Sequence, residues 1–367
     1  MEDPKRIADI DSHMAVATLE GVPVVFHDVR KALFDIYGLL WDENGYFTRI
    51  PQAIADATND GVKWLNRHTA GGRVRFIAET PYVAIRVKMP QEGRMPIMTP
   101  LCSSGFDLYF REGDEPFTFM NGFMPPIVAN GGYESLLYLP GGNRRREFLI
   151  HFPLYDAVDS LGIGVAPDVK IEGGQKYRND KPWLFYGSSI TQGGCASRGG
   201  TCYNALLSRR FNCDFRNLGW SGSGRGEQVM ADYIAAQPMS LFFMDYDHNA
   251  PDAAHLAATH EKFFLTVREK NPDLPIIIAS RTDPMRTAAD VADNDARFRE
   301  VCKTYENALR RGDKLVRLID GRQIFAPVGQ NGLAMGDATV DGCHPTDLGF
   351  LLMAEAFAKP IQELLNL

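Results

Sequence analysis

Two short stretches carry the residue types for nucleophilic chemistry. In "LFYGSSITQGGCASRGG" (184–200) an apolar run ends in Gly187-Ser188-Ser189 and a glycine cluster. In "VDGCHPTDLG" (340–349) Asp341 precedes His344 by three residues. A serine exposed at a strand-to-helix turn, an imidazole to take its proton and a carboxylate to orient the imidazole make an acyl-transfer set. The first stretch fits no phosphate loop, because no lysine follows Gly193 and Gly194. It also lacks the second glycine of a dinucleotide fingerprint. The nucleophile elbow G-x-S-x-G fails as well, since Thr191 stands in its last position. Taken singly, each stretch has a plainer reading: a serine N-cap, and a surface Asp–His pair.

Two further segments offer donors for an anion. "NLGWSGSGRGE" supplies glycine amides and "MDYDHNAP" an asparagine, the donor types of an oxyanion hole. Such groups need a scaffold that brings distant strand ends together. From Lys181 onward, apolar runs ("WLFYG", "FRNLGW", "LFFMDY", "LPIIIAS", "LVRLID") alternate with helix-like segments. Five alternations predict a parallel sheet covered on both faces, with ligands beyond its carboxyl ends. Before residue 178 the pattern is period two, as in "RVRFIAET" and "VAIRVKM". It predicts half-buried strands of an antiparallel β-sandwich or jelly roll, with a helical interruption near 51–68. The Gly/Pro/charge-rich "IEGGQKYRNDKP" divides the chain into 1–178 and 179–367.

Composition removes several classes. Of 367 residues, 39 are Lys or Arg and 46 Asp or Glu, a net charge of −7. That argues against nucleic acid and anionic membrane as partners. No run approaches a membrane span, and the first residues are unlike a secretory signal, so the expected location is cytoplasmic, with secretion of a processed form left open. Six scattered cysteines, without a C-x-x-C pair, argue against a zinc site and a disulfide framework. Cys195 and Cys343 read as packed thiols.

In chain order, "GSSITQG", "NLGWSGSG", "DHN" and "DGCHP" resemble the four blocks of the SGNH/GDSL hydrolases over roughly 180–367. Gly105-Phe106-Asp107-Leu108-Tyr109 is similar to the GxDLY signature of a β-domain preceding some members. The resemblance implies a flavodoxin-like three-layer α/β domain. It makes Ser189 the nucleophile, His344 the base and Asp341 its orienter, with the Ser189 amide, Gly222 and Asn249 as oxyanion hole. Two positions depart from the family pattern: Ser188 replaces an Asp, and Asp247-His248-Asn249-Ala250 replaces Gly-x-Asn-Asp. His248 reads as a loop histidine bonded to backbone. Arg198, Trp220, Arg225 and Arg281 fall near the expected rim.

The implied activity is a serine esterase removing a short acyl group, acetyl first, from a small-molecule or carbohydrate ester, without metal or organic cofactor. Alternatives are a lysophospholipase- or thioesterase-like hydrolase, and a non-catalytic carbohydrate-binding protein. The oligomeric state is open, a homo-oligomer included.

Overall fold

The computed structural model describes residues 16–90, 95–126, 131–282 and 288–367. Its first half is two antiparallel sheets. One orders the strands Val16–Leu19, Val22–Asp28, Ser160–Val165, Tyr82–Lys88 and Gly132–Tyr138. The other orders Glu172–Gly173, Arg73–Thr80, Arg144–His151, Phe106–Arg111 and Thr118–Phe123, with Asp35–Tyr37 also on Arg73–Thr80. Val74, Phe76, Phe148 and Ile150 of one sheet meet Val83, Ile85 and Ile163 of the other, which fills the sandwich core.

The alternation in "RVRFIAET" holds, but the first two residues of its polar phase do not face water. Arg73 and Arg75 are completely buried. Arg73 Nη2 donates to Phe215 O at 3.1 Å and is paired with Asp214. Arg75 is held by Glu147 at 2.6 Å and approaches Asn212. The second domain covers this end of the face, so the strand is buried on both sides over residues 73–76 and half-buried, as expected, where Glu79 reaches the surface.

The second half is a parallel sheet of five strands: Trp183–Gly187 (first), Phe215–Gly219 (second), Leu241–Asp245 (third), Ile276–Ala279 (fourth) and Val316–Ile319 (fifth). Their spatial order is second, first, third, fourth, fifth, that of a flavodoxin-like doubly wound sheet. Successive residues serve opposite layers. Trp183 and Phe185 pack with the C-terminal helix Asp347–Leu365. Leu184 and Tyr186 pack with the helices Gln228–Ala235 and Ala253–Lys270. Burial on both faces is why these strands read as continuous apolar runs.

The interruption predicted near 51–68 is two short helices, Gln52–Thr58 and Asp60–Leu65. They do not belong to the sandwich core. Ala55, Val62 and Leu65 lie in the same cluster as Leu218, Trp220 and Met230 of the parallel-sheet domain. Tyr155 and Leu154, after the Arg144–His151 strand, likewise pack with Phe185 and Tyr203. The two halves therefore share cores. Among the described residues, no helix is long and apolar enough to cross a membrane.

Candidate active site

The first strand ends at Gly187, and the chain turns into the one-turn helix Ser189–Gln192. Ser188 is the N-cap: its Oγ accepts the Ile190 N–H at 3.1 Å, and it is fully buried. That gives the serine found in place of the family's usual Asp a structural task. Ser189, the next residue, is partly exposed. Its Oγ lies 2.9 Å from His344 Nε2, and His344 Nδ1 lies 2.8 Å from Asp341 Oδ2.

The D-x-x-H spacing builds its own local turn. Asp341 Oδ1 accepts the backbone N–H of His344 at 2.8 Å and of Cys343 at 3.0 Å. Burial pushes the Asp341 carboxyl up, but the amide and ring N–H groups of His344 outweigh it and hold it below the ordinary value. An ionised carboxylate only accepts, so His344 carries its proton on Nδ1 and its Nε2 accepts from the Ser189 hydroxyl. This arrangement can pass a proton from hydroxyl to imidazole as Oγ attacks a carbonyl carbon.

A loop at the end of the second strand lies opposite. Gly222 sits at φ +63°, where a side chain would be strained. Among the described residues the N–H groups of Ser189 and Gly222 have no acceptor. Their loop is fastened from several directions. Asn249 Nδ2 donates to Trp220 O at 2.8 Å and Gly224 O at 3.0 Å. Asn59 Nδ2 donates to Ser223 O at 3.0 Å. Gln192 Oε1 accepts the Ser221 N–H at 3.1 Å, while its Nε2 donates to Leu154 O at 2.9 Å. Ser189, Gly222, Asn249, Asp341 and His344 are thus gathered at the carboxyl ends of the strands. In this state Asn249 is a tie for the loop.

His248 is half-buried, and its Nε2 accepts the Thr282 N–H at 3.1 Å, the backbone bond expected of it. Burial, with Arg281 nearby, pushes its pKa well down, so it is neutral. Trp220 departs from expectation. It is fully buried, with the Arg49 guanidinium 3.8 Å from its ring centre, so it is core and not rim. Arg198 is also committed, donating to Tyr109 Oη at 3.3 Å and lying over Phe119. Arg225 donates to Gly222 O at 3.0 Å, and Arg281 pairs with Asp293 at 3.3 Å. All six cysteines are free; burial pushes the Cys195 thiol up to about 12, which keeps it from acting as a thiolate.

Sequence reasoning missed three positioning residues: Gln192, Asn59 and Tyr155. Tyr155 Oη donates to Ser189 O at 3.2 Å from the β-domain side. Only Gln192 had a signal, its place in the same sequence block as Ser189.

The sequence model of the GDSL-like Lipase/Acylhydrolase family matches residues 180–362. That described as the N-terminus of SGNH-hydrolase-type esterases, GxDLY, matches 24–171. Among solved structures, a GDSL-like lipase from Bacteroides ovatus is 27% identical with a TM-score of 0.83, over 94% of this chain and 98% of that one. The salicylyl-acyltransferase SsfX3 from a tetracycline biosynthetic pathway is 19% identical with a TM-score of 0.72, over 92% and 97%. A family two carbohydrate esterase from Clostridium thermocellum is 14% identical with a TM-score of 0.62, over 91% and 98%. The last two show a shared fold. No curated protein matches by sequence. Family and fold define a carboxylic ester hydrolase of the α/β, parallel-sheet class. The chain belongs to the SGNH/GDSL hydrolases, in the group that carries an N-terminal GxDLY domain.

Proposed function

We propose that the protein hydrolyses short acyl esters, acetyl foremost, of a hydroxylated substrate of the carbohydrate class. Ser189 is the nucleophile, His344 the general base and acid, and Asp341 the orienting carboxylate. The observation that carries this reading is the unbroken chain from Ser189 Oγ to His344 Nε2 at 2.9 Å and from His344 Nδ1 to Asp341 Oδ2 at 2.8 Å. Ser189 Oγ bonds to the ester carbon as its proton passes to Nε2. The carbonyl oxygen becomes an anion facing the Ser189 and Gly222 N–H groups. The C–O bond to the alcohol then breaks, and the alcohol leaves with the proton from Nε2. Water, giving one proton to the same nitrogen, attacks the acyl-serine carbon; the bond to Oγ then breaks, Nε2 returns the proton to Oγ, and the acid leaves. For Asn249 to serve as third oxyanion donor, one Nδ2 proton turns from Gly224 O to the anion.

The acetyl and carbohydrate parts of the reading are supported by the likeness in fold to a family two carbohydrate esterase. The complete triad speaks against a purely binding protein. Incubation with a fluorophosphonate, followed by peptide mass spectrometry, tests the assignment together with release of acetate from a nitrophenyl ester. A single adduct on Ser189 and a steady rate are expected. No adduct and no turnover would return the chain to the binding class.

A further inference from the structure

Beside the loop that carries Gly222, a cavity of about 610 Å³ opens between the two halves of the chain. Its walls differ in character. The β-rich half contributes Tyr46, Trp64, Arg67, His68 and Asp159; the loop contributes Ser221 and Ser223. Trp64 is 66% exposed, unusual for the largest apolar side chain. Its ring meets His68 edge-on at 4.5 Å between centres. Arg67 is fixed on two sides, 4.3 Å over the Tyr46 ring and 2.8 Å from Asp159. His68 is only 5% exposed, and its Nδ1 has no hydrogen-bond partner among the described residues. An unmet polar atom in a cavity wall costs free energy until something bonds to it.

The cavity is joined to the triad by Tyr155. Tyr155 lines it and donates to Ser189 O at 3.2 Å. A Cβ built on Gly194 would stand 2.8 Å from Tyr155 Oη and 3.4 Å from His344 Cδ2. Tyr155 therefore stands between the cavity and the Ser189–His344 pair, and Ser221 and Ser223 of the cavity wall flank Gly222. Mixed apolar and hydrogen-bonding walls between domains are the usual make-up of a small-molecule site.

We infer that this interdomain cavity, floored by Trp64 and edged by Arg67, Asp159 and His68, is the subsite for a pyranose ring that forms the alcohol part of the ester. A pyranose has one face of C–H groups, which suits an exposed indole. Its equatorial hydroxyls both donate and accept. They match a fixed guanidinium, a carboxylate and an imidazole with an unmet nitrogen. A planar aromatic alcohol would use the indole and leave the polar edge idle. The inference rests on the hydrolase reading above and assigns the domain junction the selection of the alcohol.

The test compares kcat/KM for a mono-O-acetylated methyl glucopyranoside with that for ethyl acetate in the wild type, Trp64→Ala, His68→Phe and Trp41→Ala. Trp41 is 52% exposed in the same half but does not line the cavity. In Trp64→Ala the ratio of the two specificity constants falls at least tenfold, through KM of the sugar ester. It falls in His68→Phe as well, and Trp41→Ala keeps the wild-type ratio. An unchanged ratio in both cavity variants overturns the subsite while leaving the hydrolase intact. So does a ratio that falls for phenyl acetate against ethyl acetate instead. Should the wild type turn over neither ester and take no fluorophosphonate, the hydrolase reading fails on its own. Quenching of tryptophan fluorescence by methyl glucopyranoside then decides the cavity: loss of quenching in Trp64→Ala sustains it, and no quenching in the wild type ends it.

Discussion

Asp107, in the middle of the GxDLY segment, accepts the backbone N–H of Gly200 on Oδ2 at 2.7 Å. Its Oδ1 accepts His151 Nδ1–H at 2.6 Å. Asp107 is fully buried, and Gly200 lies in the 3-10 turn Gly199–Thr201 that follows the Ser189–Gln192 helix. Burial pushes the Asp107 carboxyl up, but His151 and the Gly200 N–H outweigh it, so it stays ionised below the usual range. Burial also lowers His151, which makes the pair a carboxylate bonded to a neutral imidazole. The signature aspartate is thus a joint between the two halves of the chain.

Asp107→Ala leaves the Gly200 N–H and the His151 ring without their acceptor. Leaving a buried donor unsatisfied costs about 1–3 kcal/mol for each group. A calorimetric melt should show the whole transition shifted down, because the cores of the halves are shared. Two separate transitions, with the later one unmoved, would contradict the joint.

Ser189→Ala should lower kcat by about 10⁶, with the fold intact. Ser188→Ala removes an N-cap, which costs about 0.5–2 kcal/mol, and should leave most of the turnover. Esterase assays and melting curves on the two variants separate the roles. A phosphonate adduct on Ser188 would reverse them.

Much of this was legible in the chain. The five strands of the parallel sheet fell on the five apolar runs, because burial on both faces erases alternation and leaves a signal of its own. The pairing of Asp341 with His344 was legible because the two build one local turn. What stayed hidden depends on contacts between distant segments. Alternation marked Arg73 and Arg75 as one face of a strand but not that a second domain lies over it. Trp220 sits in a block of site residues, yet Arg49, from far upstream, roofs it. Gln192 ties Leu154 to Ser221, and no local pattern encodes a residue that bridges two others. Asp107 was recognised by resemblance, while its bond to Gly200 appears only once the halves are docked.

Asn249→Ala should reduce kcat by roughly 10²–10³, the cost of about one oxyanion donor, with KM little altered. The same amide holds Trp220 O and Gly224 O, so loosening of the Gly222 loop acts in the same direction. His248→Ala works differently. It strands the Thr282 N–H, at about 1–3 kcal/mol, so its loss shows in the melting temperature more than in kcat. Steady-state kinetics and melts on the pair check this. A larger fall in kcat for His248→Ala would move the catalytic role to His248.

Asp245 ends the third strand directly beneath the Ser189–Gln192 turn, enclosed, with Thr191 Oγ1 and Tyr203 Oη each donating to its Oδ2 at 3.3 Å. Burial pushes its carboxyl up to about 8; the Thr191 bond pulls the other way, and Asp247 adds to the rise. Below about pH 4 the folded and unfolded chains both keep this proton. Between there and pH 8 the unfolded chain has lost it while the folded chain retains it. The native state then binds more protons, and stability falls as pH rises. Asp107 and Asp341, held low, have the opposite sign: their contribution is complete above the ordinary carboxylate range and is lost on acidification. Asp245→Asn keeps a neutral group of the same shape that cannot ionise in either state. Melting temperatures of wild type and variant between pH 5 and pH 8 isolate this carboxyl, since every other titrating group is common to both. The variant should gain on the wild type steadily as pH increases. Parallel curves would mean that Asp245 is ionised in the fold, with Thr191 and Tyr203 bonded to a carboxylate.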